Sequence, residues 1–157
     1  MIERLGIFLA VGCGSGLLRP APGTWGSLAA VGLGYVMVTT LGHISVLIAA
    51  LVSTLIGVWA ANVYERRTTK SDASEVVIDE WAGQWFALWP TAFLAPTAPL
   101  AWAGSFLLFR AFDISKPGPI GKLDRELKGG LGVMMDDVLA GLLAGALMFA
   151  GLSFYGG

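Results

Sequence analysis

The stretch ISVLIAALVSTLIGVWAANV, residues 44–63, runs for twenty residues without a charged side chain and stops just short of Glu65, Arg66 and Arg67. A helix of about 20 apolar residues spans the roughly 30 Å of hydrocarbon in a bilayer, so this segment reads as a transmembrane helix with one charged end. Further apolar stretches lie at 5–18, 27–41, 81–95, 99–112 and 138–154, divided by proline, glycine or charged clusters. Only 138–154 approaches the length of 44–63. The rest are short or interrupted, which predicts an all-α, polytopic membrane helical bundle with short, broken or partly re-entrant helices, in one domain over 1–157. A chain that is 55% hydrophobic and only 13% charged is too apolar for a water-soluble fold of this length. The lone Cys13 excludes an internal disulfide, and a net charge of -1 gives no reason to expect nucleic acid. No small-residue cleavage site follows the weakly positive start, so the N-terminal segment is expected to remain in the mature chain.

Charge orders these pieces. Lys and Arg concentrate in cytoplasmic connections, and Arg4, Arg19, Arg66, Arg67, Lys70, Arg110, Lys116, Lys122, Arg125 and Lys128 occupy alternate ones. The turns LGH at 41–43, PTAFLAPTAPL at 90–100 and the C-terminal SFYGG carry no basic residue. If 27–41 leaves the cytoplasm, 44–63 returns, 81–95 leaves, 99–112 returns and 138–154 leaves, every basic residue is cytoplasmic. Segment 5–18 is then interfacial or re-entrant. The same path puts all eleven acidic residues on that face, which the positive-inside rule does not require and which points to a working surface.

Asp79 and Glu80 precede WAGQWFALW, and Asp136 and Asp137 precede VLAGLLAGALMFAGL. Carboxylates at the bilayer edge either cap a helix N-terminus or serve a function. Asp113 and Asp124 lie in FRAFDISKPGPIGKLDREL, while Glu65, Asp72 and Glu75 read as solvated loop. With a single His and a single Cys in the chain, a carboxylate set favours Mg²⁺, or alternatively Mn²⁺, over zinc or copper. Lys116 and Arg110 flank Asp113 and would neutralise phosphate, although Arg110 equally suits a snorkelling helix end. In APGTWGSL, residues 21–28, Gly23, Thr24, Gly26 and Ser27 have the composition of a backbone nest feeding a helix N-terminus, or of an ordinary capped turn. GGLG at 129–132 reads as a loop leading to the last acidic pair.

Two other readings stay open. Cys13 and Arg19 match the C-x5-R spacing of cysteine phosphatases, although no strand signal precedes them. A small non-enzymatic ion-binding protein or transporter would use the same acids, but nearer the middle of the membrane. His43 stands alone on the opposite face and reads as structural, and GLLAG at 141–145 suits packing within the chain.

APGTWGSL, VIDEWAG, FRAFDISKPGPIGKLDR and GGLGVMMDDVLAG, in this order and spacing, resemble the bacterial phosphatidylglycerophosphatase A family over about residues 12–150. The resemblance implies a Mg²⁺-dependent enzyme of the bacterial inner membrane with its site facing the cytoplasm. Its substrate would be phosphatidylglycerophosphate in the bilayer, hydrolysed to phosphatidylglycerol and inorganic phosphate. On that mapping Asp79, Glu80, Asp113, Asp136 and Asp137 are metal ligands or bases. Lys116 and Arg110 bind phosphate together with Gly23, Thr24, Gly26 and Ser27.

Overall fold

A computed structural model describes residues 1–70 and 73–155, the side chains of Asp124 and Tyr155 excepted. The loop reading of Asp72 and any role for the Asp124 carboxylate therefore lie outside the described residues. Among the described residues seven α-helices follow one another: α1 (Ile2–Ala10), α2 (Pro22–Leu41), α3 (Ile44–Thr68), α4 (Ile78–Leu94), α5 (Pro99–Ser115), α6 (Pro119–Glu126) and α7 (Gly129–Tyr155). Three of them, over Pro22–Leu41, Ile44–Thr68 and Gly129–Phe154, are long and apolar enough to cross a membrane. At 1.5 Å per residue the 17 residues each of α4 and α5 extend only about 25 Å. The all-α membrane bundle read from the sequence is the fold observed.

Proline sets several helix starts. Pro22, Pro99 and Pro119 each stand in the first turn of their helix, where the missing N–H is no loss and the fixed φ suits the turn. The apolar stretch 5–18 does not run as one helix. Gly12, Cys13 and Gly14 all take positive φ, which ends α1 after nine residues and coils 12–17 into a 3₁₀ turn. This segment is too short to cross a bilayer, as the charge pattern required. It backs the 73–77 connection instead, where the Val77 N–H donates to the Ala10 carbonyl at 2.8 Å.

Burial is sorted as lipid demands. Leu33, Val36, Ile48, Leu51, Leu55, Leu142 and Leu147 point outward, whereas Ala30, Ala50, Ala60, Ala82, Ala87, Ala140 and Ala144 are buried between helices. Lipid tails are as apolar as leucine, so helix association relies on close packing of small residues and on interhelical hydrogen bonds. Helix α4 lies in the middle of the bundle. Gly83 and Gly141 bring α4 and α7 together so closely that a Cβ on Gly141 would strike the Gly83 carbonyl. The Trp85 indole N–H donates to the Ala30 carbonyl of α2 at 2.8 Å, and the hydroxyls of Thr91 and Ser105 join α4 to α5 at 2.6 Å. His43 packs against Phe93, ring centroids 5.0 Å apart, where two uncharged turns meet.

Helix α7 corrects the sequence reading. GGLG is not a loop but the first turn of this helix, and the Gly130 N–H donates to Asn62 Oδ1 of α3 at 2.8 Å. Asp136 and Asp137 accordingly sit about two turns inside a helix. They do not cap its N-terminus, and the dipole argument does not apply to them.

Candidate active site

The helix ends carrying charge converge on one cavity of about 550 Å³. Its wall is assembled from the start of α2 (Pro22, Gly23, Thr24), the 73–77 connection with the start of α4 (Asp79, Glu80), the end of α5 (Arg110, Asp113, Lys116) and α7 (Asp136, Asp137). Glu65, expected to be solvated loop, also lines it from the last turns of α3. Glu75 does stay outside, paired with Arg19 at 3.4 Å and Lys70 at 3.6 Å. A backbone hydrogen bond, helped by these two cations, holds the Glu75 carboxyl below its ordinary pKa.

One oxygen each from Glu80, Asp113 and Asp137 lie within 4.8 Å of one another, although 33 and 24 residues separate them along the chain. Arg110 holds this triad from α5, ion-paired with Glu80 and, at 2.6 Å, with Asp113 one turn further on. Ser27 completes the arrangement from α2: its hydroxyl lies 2.9 Å from Glu80 Oε2 and 2.9 Å from the Gly23 carbonyl. A Cβ on Gly23 would meet Glu80 Oε1, so a larger residue there would have to displace this carboxylate. On the far wall Lys116 Nζ donates to Asp136 Oδ2 at 2.7 Å. Lys116 is the left-handed residue that ends α5 before Pro117, which turns its side chain back toward α7. Asp79 lines the cavity outside the triad and accepts the Glu80 N–H at 2.9 Å.

Asp79, Glu80, Asp113, Asp136 and Asp137 thus share one cavity with Arg110, Lys116, Gly23 and Thr24. Gly26 and Ser27 do not reach its surface. A Cβ on Gly26 would meet Val77, and Ser27 is fully buried behind Glu80. The Ser27–Glu80 contact spans 53 residues and has no signature in sequence.

The donor set fits a hard divalent cation. Three carboxylate oxygens converge, and Asp137 Oδ2 is buried without a hydrogen-bond partner among the described residues, although a carboxylate oxygen accepts readily. Charge points the same way: five carboxylates share the cavity with Arg110 and Lys116, while Glu65 and Lys128 cancel at its wall. A surplus of negative charge in a site of restricted solvation calls for a counter-cation or for protons. Cys13, by contrast, does not line the cavity. Its thiol is shifted upward by burial, the wrong direction for a nucleophile, and Arg19 turns to Glu75 instead.

Residues 8–152 match the family described as phosphatidylglycerophosphatase A. The protein named phosphatidylglycerophosphatase A in Haemophilus influenzae is 41% identical over 145 residues, covering 90% of this chain and 85% of that protein. Its namesake in Escherichia coli is 39% identical over 145 residues, with 91% and 81% covered. A Bacteroides thetaiotaomicron protein, provisionally named a phosphatidylinositol-3-phosphatase, is 41% identical over 146 residues, with 88% and 87% covered. No solved structure matches the chain.

Proposed function

Since the chain belongs to the phosphatidylglycerophosphatase A family, we propose that it hydrolyses the phosphomonoester of phosphatidylglycerophosphate, releasing phosphatidylglycerol and inorganic phosphate. The convergence of Glu80, Asp113 and Asp137 in a cavity at the charged end of a membrane bundle carries this reading. In a bacterial inner membrane with that end cytoplasmic, the substrate phosphate reaches the cavity while its acyl chains stay in the bilayer.

Glu80, Asp113 and Asp137 would hold Mg²⁺, with Mn²⁺ as an alternative, and Asp79 and Asp136 would stand beside them. When bound, such an ion offsets charge on phosphate oxygens and makes phosphorus a better electrophile. The chain's own groups do the rest. Helix α2 presents its first turn to the cavity at Gly23 and Thr24, where N–H groups have no partner inside the helix and suit an anion. Lys116 and Arg110 add positive charge where the transition state spreads negative charge over three oxygens. Asp79, outside the triad, takes the proton from the attacking water. Water oxygen bonds to phosphorus, the bond to the glycerol oxygen breaks, and that oxygen leaves as an alcohol on taking a proton from solvent, to which Asp79 returns its own. Ser27 orients Glu80 and does not touch substrate.

Phosphate release from phosphatidylglycerophosphate by the purified protein in detergent, with and without chelator, tests this. Turnover that stops with chelator and returns with Mg²⁺ is expected. Turnover indifferent to chelator overturns the metal assignment. Faster release from phosphatidylinositol 3-phosphate, offered in parallel because of the Bacteroides relative, overturns the substrate.

A further inference from the structure

A second, apolar groove of about 590 Å³ lies between α2 and α5. Leu28, Val31, Gly32 and Tyr35 form one wall, and Trp102, Ala103 and Phe106 the other. Its place relative to the polar cavity is informative. Leu28 stands four residues beyond Thr24 on α2, and Phe106 four residues before Arg110 on α5, so the groove begins one helical turn below two residues that line the cavity. From there it follows the same two helices for about 10 Å toward the uncharged turn at Pro96 and Thr97. The floor is built rather than incidental. Trp102 is buried, packs edge-on against Tyr35 with centroids 5.6 Å apart, and donates its indole N–H to the Pro96 carbonyl at 3.1 Å. Gly32 leaves the slot open, for a Cβ there meets nothing within 4 Å.

We infer that this groove holds one acyl chain of the phospholipid whose phosphate occupies the polar cavity. The inference rests on the lipid-phosphatase reading and adds the part of the substrate that the polar residues do not touch. A phosphate at the start of α2 and a hydrocarbon tail running along α2 and α5 follow the two cavities in the order in which a phospholipid presents these groups. A tail lodged between tryptophan, tyrosine and phenylalanine contributes binding energy remote from the reacting phosphorus, which fixes the headgroup against the carboxylates.

The test compares wild type and Gly32→Leu on dioleoyl and dihexanoyl phosphatidylglycerophosphate in the same detergent, with Gly151→Leu as control. Among the described residues Gly151 also has no neighbour within 4 Å, but it lies on α7, away from the groove. Gly32→Leu is expected to raise KM for the dioleoyl lipid on the order of tenfold, as blocking a hydrophobic pocket does, and to leave the dihexanoyl lipid unchanged. Equal effects on both lipids, no effect on either, or the same effect from Gly151→Leu overturns the inference. Wild type inactive on both lipids overturns the phosphatase reading instead. Labelling by a long-chain phospholipid with a photoreactive tail then decides the groove alone: adducts concentrated in 28–35 and 96–106 support it, and adducts spread evenly over the lipid-facing helices sink it.

Discussion

Asp137 is the least compensated of the carboxylates in the triad. Glu80 has Arg110 and Ser27, and Asp113 has Arg110, but among the described residues Asp137 Oδ2 is buried against no donor. Replacing a ligand and relieving a repulsion therefore pull in opposite directions. Asp137→Asn should lower turnover at least about a hundredfold, since even losing an outer-shell partner costs up to that much. In chelator the same variant should melt at a higher temperature than wild type, because one of several crowded negative charges is gone. A variant that loses activity and stability together would make Asp137 merely structural. Ser27→Ala should weaken Mg²⁺ binding and kcat by roughly tenfold while leaving KM near the wild-type value, as expected for an outer-shell support of Glu80. Cys13→Ser should change turnover by less than about twofold, the range of an ordinary surface substitution. Which acids line the cavity was largely legible from their positions beside apolar stretches. Glu65 escaped because nothing in its own segment separates a solvated acid from one turned into a cavity; the fold of α3 against α7 decides that.

Proline stands in the first turn of α2, α5 and α6, yet the apolar pattern places the first of these starts only at 27 and leaves α6 inside a charged connection. The start of α7 was hidden because glycines disfavour helix and read as loop. What makes 129–132 helical lies on α3: Asn62 accepts the Gly130 N–H, and Gly130 fits against the Val58 carbonyl where a Cβ would clash. Small residues here are a packing device. The crossing of α4 and α7 at Gly83 and Gly141 also fixes the site, because Asp137 stands one turn before Gly141 and its carbonyl faces Gly83. Gly141→Val forces the two backbones apart and should destabilise the protein by about 1–3 kcal/mol, the usual cost of overpacking. Thermal unfolding in detergent, read beside metal affinity, checks this; both should fall together. Gly151→Val, in open space on the same helix, should change neither.

Across the whole molecule, alternation of charge along the sequence became separation in space. The start of α2, the end of α3, the start of α4, the end of α5 and the first turns of α7 all contribute to one polar cavity. The connections at 42–43 and 95–98 are free of Lys, Arg, Asp and Glu. This was the most legible property of the chain, since charged groups stay out of hydrocarbon whatever the packing. Direction across the membrane is then a matter of where the basic residues reside. Positive residues are retained on the cytoplasmic side, so the cavity should open there, facing lipids made inside the cell. Cys13→Ser leaves a chain without cysteine, on which single reporters can be placed. At the uncharged end, Thr97→Cys and Ser153→Cys occupy exposed positions; at the charged end, so do Arg66→Cys and Lys122→Cys. In spheroplasts a membrane-impermeant maleimide should label the first two, and reach the second two only after lysis. The reverse pattern would put the cavity outside the cell and break its link to a cytoplasmic substrate. Labelling of one residue from each end in unlysed spheroplasts would mean that the charged connections do not share a side, and the orientation argued from them would fall.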